Sequence, residues 1–424
     1  MNNYTSSNSL LLEALKVIPT GSQTFSKSYY CLPEGEAPLF LRSGDGAMVK
    51  DVDGNEYIDL VNGLLCVSLG YKDIDINTAI VNQLDNGITF SLPHELEMDV
   101  AKLLVELIPC AEMVRFGKNG TDATSAAIRL SRAVTGRNHI AICGYHGWQD
   151  WYIGCTSRDL GVPNETKSLS HTFEYNNLES LKRLISEYPD MAAVIMEPMS
   201  AIYPDKNFLE GIRNLCDEYG IILIFDEMIT GFRLDIGGAQ ALFGVTPDLA
   251  TFGKGMANGM PISAVLGRAS IMMKMEDIFF SGTFGGETLS LAAAKATIIK
   301  MVKYNVPEYL SYIGSYLNKG IQNIIEELDI KWLKLLGHDT WKVLNIDAGG
   351  DTLLYKTILI QELLQEGVLT IGTHNVSYSF RKEHADKVIQ AYQHVLAKMD
   401  RHASDGSLDS LLKGQILKPV FKVR

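Results

Sequence analysis

The sequence predicts an α/β protein: a mostly parallel sheet sandwiched by helices, with a smaller α+β domain built from the two ends of the chain. Three observations carry this. Between about residues 75 and 300, apolar runs recur between stretches of helical period, as at His139–Cys143, Ala192–Met196, Ile221–Phe225 and Leu249–Phe252. Strands that are apolar at nearly every position are buried on both faces, as in a parallel sheet covered by helices. The beginning of the chain instead carries a hairpin, and its end carries helices around an alternating strand. The chain has 424 residues and is 46% hydrophobic, enough for more than one core. The expected divisions are an N-terminal segment 1–74, a large domain 75–305 and a C-terminal α+β domain 306–424.

In chain order, Leu10–Ile18 contains Glu13 and Lys16 and reads as a short amphipathic helix stopped by Pro19. Ala47–Val52 and Glu56–Leu60 flank Asp53-Gly54, a turn pair suited to positive φ. Beyond the large domain, Pro307 opens a helix with Leu310, Ile313, Leu317, Ile321 and Ile324 on one face. Thr352–Glu366 is a further helix ended by Gly367. Val376, Tyr378 and Phe380 alternate with Ser377 and Ser379 as a half-buried strand, and a last helix carries Ala385, Val388, Tyr392, Leu396 and Met399. The stretch after Met399 is poorly patterned until Pro419-Val420-Phe421, which leaves a mobile tail and a strap over a neighbouring element both open.

A net charge of −12 argues against nucleic acid or an anionic membrane surface as the main partner. No run of about 18 apolar residues predicts a membrane helix, and the first residues lack the basic start of a signal peptide. Six scattered cysteines without a C-x-x-C suggest reduced thiols in a cytoplasmic protein, and no metal site is expected.

The chemistry concentrates on a few short motifs. Asp226 closes the buried run Ile221–Phe225, and Lys254 sits in Phe252-Gly253-Lys254-Gly255. Each alone has an ordinary reading, as a turn cap and as a solvent loop. Together they are what pyridoxal phosphate (PLP) requires. The lysine forms a Schiff base with the cofactor aldehyde, and the aspartate keeps the pyridine nitrogen protonated so that the ring accepts electrons. Asn119-Gly120-Thr121-Asp122 precedes a helix with Ala123, Ala127, Leu130 and Val134 on one face. Free N–H groups there, the helix dipole and the Thr121 hydroxyl make an anion site. Gly144-Tyr145-His146-Gly147 follows a strand, and Tyr145 there can stack on a planar ring.

These segments, with Glu197-Pro198, Asp226-Glu227-Met228-Ile229-Thr230-Gly231-Phe232-Arg233 and Ser281-Gly282-Thr283-Phe284-Gly285-Gly286-Glu287-Thr288, resemble the class III, fold-type-I PLP aminotransferases, nearest to the glutamate-1-semialdehyde aminomutase branch. The resemblance runs from Leu10 to about Met399. It implies a fold-type-I sheet of seven-stranded type. It implies that Gly120 and Thr121 hold the phosphate, that Tyr145 and Met228 flank the ring and His146 lies at the cofactor. Asp226 would pair with the pyridine nitrogen, and Glu197 would stand nearby. Lys254 would be the Schiff-base lysine and proton carrier. Thr283 would reach the phosphate of a partner subunit, so the family is a homodimer with a shared site. The reaction implied is ping-pong transfer of an amino group from a small amine donor to a carbonyl acceptor.

The departures fall around the substrate. Lys27 stands where the aminomutases have a carboxylate-gripping arginine, and lysine cannot make the bidentate fork. Asn375 stands where they have an acidic residue, and their tryptophan near Leu64 is absent. This favours an intermolecular aminotransferase over the aminomutase. A small or sugar-like aldehyde or ketone suits the polar candidates Gln23, Ser26, Lys27, His374 and Asn375. A PLP-binding but catalytically silent protein, a decarboxylase and a racemase are further alternatives on the same machinery.

Overall fold

The computed structural model describes residues 2–418. The chain divides into two compact units. One contains the residues up to Asp73 and the described residues from Tyr309 onward; the other is Ile74–Glu308.

The second unit is built on a seven-stranded sheet. Its order is Met113–Gly117, Ser263–Gly267, Leu249–Phe252, Ile222–Asp226, Met191–Met196, His139–Cys143 and Ser170–Thr172. Ser263–Gly267 runs antiparallel to both neighbours; the other pairings are parallel. The apolar runs read from sequence are its interior strands, and Met191–Met196 is buried at every position. That double-sided burial is why these strands lack alternation. Helix Gly120–Thr135 packs on the sheet through Ala123, Ala127 and Leu130, together with Ile140, Ile195 and Ile224. Val134, expected on that face, is exposed instead. The helix ends at Gly136, whose φ of 66° is the left-handed cap. Because the central strands are parallel, their carboxyl ends share one edge, where open α/β sheets hold their ligands.

The first unit holds two small sheets. Met48–Asp51 and Glu56–Asp59 form the expected hairpin around Asp53-Gly54. Two additions were not read from sequence: Leu41–Asp45 on one side, and Val368–Leu369 running parallel on the other. The second sheet is the hairpin Leu333–His338 with Trp341–Ile346, extended by Thr373–Asn375. The alternating residues Val376–Phe380 are not a strand; the strand stops at Asn375 and a turn follows. Burial there does not follow the alternation: Val376, Ser377 and Phe380 are buried while Tyr378 and Ser379 are half-buried. Helices Val306–Glu327, Thr352–Gln365 and Lys382–Ser404 lie close to their expected positions, and the first helix, Thr5–Val17, starts five residues before the expected Leu10.

The stretch after Met399 is neither loose nor featureless as far as Lys418. The last helix continues to Ser404, and Leu408, Leu411 and Leu417 are buried. Gln361, wholly buried on helix Thr352–Gln365, donates from Nε2 to the Leu411 carbonyl at 2.8 Å. Its Oε1 accepts from the N–H groups of Lys413 and Gly414 at 2.9 and 3.0 Å. Leu417 then joins Tyr4, Val49, Tyr57, Ile360, Leu364 and Leu369 in one core. Pro419-Val420-Phe421 lies outside the described residues.

Candidate active site

Four strand ends of the second unit deliver the chemistry. Asp226 ends Ile222–Asp226, and its side chain is buried. Its Oδ1 accepts from Thr251 Oγ1 at 3.2 Å and from the Met228 N–H at 3.1 Å. Its Oδ2 lies 2.7 Å from His146 Nδ1. Thr251 stands opposite Asp226 in the parallel pairing with Leu249–Phe252. His146 follows strand His139–Cys143, and its Nε2 faces the Cys143 carbonyl at 3.1 Å. The His146 carbonyl accepts from Thr124 Oγ1 at 2.9 Å, which ties the loop to helix Gly120–Thr135.

Glu197 follows Met191–Met196, and its Oε2 accepts from the Tyr145 N–H at 3.1 Å. Burial raises its pKa above the usual carboxylate range, and the Asp226 charge adds to this, while His146 and Lys254 oppose it. Glycine 144 makes this approach possible: its φ is 109°, and a Cβ there would stand 2.5 Å from Glu197 Oε2. The Tyr145 phenol is also pushed up, by burial and then by Asp226 and Glu197. Tyr145 packs edge-on against Tyr152 at 5.6 Å.

Lys254 begins the short turn Lys254–Ala257 directly after Leu249–Phe252, with φ at 37°. A non-glycine residue in the left-handed region is strained, and such strain gathers at functional positions. At helix Gly120–Thr135, Asp122 Oδ2 accepts from the Lys118 and Asn119 N–H groups. The Thr121 hydroxyl is buried without a hydrogen-bond partner among the described residues. Met228 packs against two glycines: a Cβ at Gly120 or Gly253 would meet its sulfur at 2.9 or 2.8 Å.

Glu197 therefore lies within electrostatic reach of Asp226, His146 and Lys254, and Tyr145 within that of Asp226 and Glu197, with Met228 beside Gly120 and Gly253. Thr283 is not joined to them. It is exposed and lines a pocket of about 360 Å³ with Phe116, Lys118, Arg129, Gln149 and Phe284. Lys27 and Asn375 belong to the first unit. Lys27 is exposed in the turn Phe25–Lys27. Asn375 is buried, with Nδ2 donating to the Val61 carbonyl at 2.9 Å. His374 is no pocket residue: it is fully buried, and its Nε2 lies 2.7 Å from the Tyr392 hydroxyl. Burial holds its imidazole down at about 3. Thr251 and Thr124 were missed from sequence. A threonine opposite a strand-end aspartate is visible only once the register is known.

Glu227 resolves the ambiguity of the Asp-Glu pair. Its Oε2 accepts from the Ala239 N–H at 2.8 Å and its Oε1 from the Gln240 N–H at 2.9 Å, capping helix Ala239–Phe243; Thr230 Oγ1 donates to it as well. Glu227 thus caps Ala239–Phe243, while Asp226 Oδ1 takes only the Met228 N–H of the turn that follows its strand.

The family described as aminotransferase class-III matches residues 30–396. The chain belongs to that family. Over 328 residues it is 40% identical to 3-aminobutyryl-CoA aminotransferase of Cloacimonas acidaminovorans, covering 75% of this chain and 78% of the relative. It is 36% identical over 350 residues to glutamate-1-semialdehyde 2,1-aminomutase 2 of Lachnoclostridium phytofermentans, covering 77% and 81%. The PLP internal aldimine form of the FumI protein of Sphingopyxis sp. MTA144 superposes with a TM-score of 0.88 at 28% identity, covering 94% of this chain and 98% of that one. The class-III aminotransferase fold is thus fold type I, and its cofactor is pyridoxal 5′-phosphate.

Proposed function

We propose that this class-III aminotransferase moves an amino group between two separate small molecules, with Lys254 and Asp226 as its catalytic residues. The observation that carries the reading is Asp226 itself, a buried strand-end carboxylate held on both oxygens, with Lys254 two residues past the end of the adjoining strand. The residues fit PLP. Thr121 offers an unpartnered buried hydroxyl beside Gly120 at a helix N-terminus, suited to a phosphate. Tyr145 and Met228 supply the two flanking surfaces, and His146 and Glu197 surround Asp226.

When bound, PLP supplies an aldehyde that bonds amines and a ring that takes up electrons from the substrate carbon. Asp226 would accept the pyridine N–H and keep it protonated. The Lys254 amine would hold the cofactor and, once free, would carry the proton off the substrate carbon. Glu197 anchors the Tyr145 backbone and so sets the ring-facing loop.

For the substrate, one support points away from the aminomutase: Lys27 offers a point charge where a bidentate arginine is needed. Identity does not separate the readings, since the 3-aminobutyryl-CoA aminotransferase and an aminomutase of Lachnoclostridium phytofermentans both match at 40%. An amine one carbon removed from an acyl group is the first class to test. The sugar-like carbonyl is weaker now that His374 is engaged internally. Glutamate-1-semialdehyde isomerisation is the second reading, favoured by the 36% identical aminomutase. Thr283 is assigned to the phosphate of a second copy, a role its exposure permits; a cytoplasmic location rests on six unbridged cysteines.

A screen of amines and carbonyls read by cofactor absorbance tests this. A band that bleaches with one amine and returns with a different carbonyl supports intermolecular transfer. Turnover of glutamate-1-semialdehyde alone, with no added donor, would overturn it for the aminomutase. Lys254→Ala should abolish the cycle, and continued turnover would remove Lys254 from its role.

A further inference from the structure

We propose that Lys118 and Glu287 are a positioning pair: their ion pair fastens the loop carrying Thr283 to the strand, turn and helix that form the chain's own phosphate site. This rests on the reading that Thr283 reaches the phosphate of a second copy, and it names the residues that hold that threonine in place.

The loop is tied on both sides of Thr283. Before it, Arg115 Nη2 donates to the Phe280 carbonyl and Arg129 Nη1 to the Phe279 carbonyl, each at 3.2 Å. After it, Lys118 Nζ donates to Glu287 Oε2 at 2.9 Å. Arg115 lies on strand Met113–Gly117, Arg129 on helix Gly120–Thr135, and Lys118 in the turn between them. These are the elements that place Gly120 and Thr121. Between the ties the backbone closes on itself. The Gly285 N–H donates to the Gly282 carbonyl at 3.0 Å, and the Glu287 N–H to the Phe284 carbonyl at 3.2 Å. A shift of Glu287 is therefore passed through these two turns to Thr283. Ser281, Gly282, Thr283 and Phe284 are exposed, so the place of the hydroxyl depends on such ties rather than on packing.

Both partners of the pair are themselves fixed. Lys118 donates its N–H to Asp122 Oδ2 at 3.0 Å, and the Asn119 N–H meets the same oxygen at 2.8 Å. The Asn119 carbonyl accepts from Ser263 Oγ at 2.7 Å. Glu287 caps helix Thr288–Lys303: its Oε1 accepts from the Leu289 N–H and its Oε2 from Ser290 Oγ, both at 2.6 Å. The positive end of that helix favours a carboxylate there. Burial alone would raise the Glu287 pKa; Ser290 and Lys118 outweigh it and hold the carboxyl below its usual range. Exposed ion pairs contribute little, because water screens them and two long side chains lose freedom. The Lys118 and Glu287 side chains are 17% and 13% exposed and already held at their bases, so this pair transmits position.

Mixed dimers provide the test. One chain carries Lys254→Ala and gives no Schiff-base absorbance, so the band reports PLP binding at the other chain's site alone. Thr283→Ala in the silent chain, whose loop serves the reporting site, should weaken binding there by roughly tenfold, the worth of one hydrogen bond to a charged acceptor. Glu287→Gln in the silent chain keeps the Oε1 acceptor of the helix cap and loses the charge. It should weaken the reporting site by about threefold or more, and by no more than Thr283→Ala does. Lys118→Met in the silent chain should cause the same loss, and the two together no greater loss than either alone.

The direction of the effect decides. Glu287→Gln should cost the reporting site more from the silent chain than from the reporting chain itself. An equal loss from either chain, no loss at all, or losses from Lys118→Met and Glu287→Gln that add would each overturn the proposal. If Thr283→Ala acts from the reporting chain or from neither, the reading of Thr283 fails and the proposal falls with it. If Thr283→Ala acts from the silent chain while Glu287→Gln does not, the positioning pair alone fails.

Discussion

Thr251 and Asp226 are directly paired across adjacent parallel strands, and the Thr251 hydroxyl donates to Asp226 Oδ1 at 3.2 Å. A β-branched residue at a strand end has one stiff χ1, so the hydroxyl is held in place by its own backbone. Thr251→Val keeps the shape and removes the donor. The Met228 N–H remains on Oδ1. The expected cost is about 1.5–3 kcal/mol for a hydrogen bond to a charged acceptor, read as a roughly tenfold or greater rise in the PLP dissociation constant by fluorescence titration. Unchanged cofactor affinity would show that Oδ1 needs no second donor.

Gly144 is constrained twice, by its φ of 109° and by the Glu197 carboxylate at its back. Gly144→Ala adds both left-handed strain and a steric conflict with an enclosed carboxyl. A destabilisation of about 2 kcal/mol or more is expected. Thermal unfolding by circular dichroism should show a lowered midpoint, with the Tyr145 loop weakened first in hydrogen exchange. A midpoint equal to that of the unsubstituted protein would mean Glu197 is free to move aside.

The pH dependence of stability follows from Glu197. Its folded pKa is raised, first by burial and then by Asp226, so the folded state binds the proton more tightly than the unfolded state. The resulting stability is fully present below the ordinary glutamate value and is lost as pH rises through the raised value. Glu197→Gln removes this titration while still accepting from the Tyr145 N–H. Urea unfolding across pH 4 to 8 should show the unsubstituted protein losing more stability with rising pH than the variant. Parallel curves would place Glu197 in a more polar setting than its burial implies.

Much of this was legible in the sequence, for identifiable reasons. Strands buried on both faces announce themselves as unbroken apolar runs, which is why Met191–Met196 and Ile222–Asp226 stood out. The placement of Asp226 at a strand end and of Lys254 in a turn between glycines was legible from the apolar runs that precede them. Short edge pieces such as Ser170–Thr172 and Val368–Leu369 were not recognisable, since three or two residues carry no period. The alternation at Val376–Phe380 misled because the chain turns there, burying Val376, Ser377 and Phe380 at positions that no strand's period of two would select. His374 looked like a polar pocket residue because nothing local reveals Tyr392, eighteen positions later, as its partner. Pairings that depend on register, such as Thr251 with Asp226, exist only in three dimensions.

The tail offers a final test, and it concerns the first unit alone. Residues 411–414 are held by three hydrogen bonds from a single buried amide, Gln361. Backbone groups in a tail normally find water, so taking them from solvent needs a protein partner for each. Gln361→Leu has similar bulk and none of the polar atoms. It leaves the Leu411 carbonyl and the N–H groups of Lys413 and Gly414 unpaired in the same stroke. The Gln415 N–H still donates to the Glu34 carbonyl at 3.0 Å and the Leu417 N–H to Thr357 Oγ1 at 3.1 Å, so two fastenings remain further along. An unmade bond at a buried group costs about 1–3 kcal/mol, which favours release of the strap into water over keeping it docked. Faster hydrogen exchange across 411–418 and new protease cleavage there are expected, with cofactor absorbance unchanged, since the residues proposed to hold PLP lie in the other unit. If exchange in 411–418 is as slow as before, the apolar burial of Leu411 and Leu417 holds the strap, and the amide only sets its register.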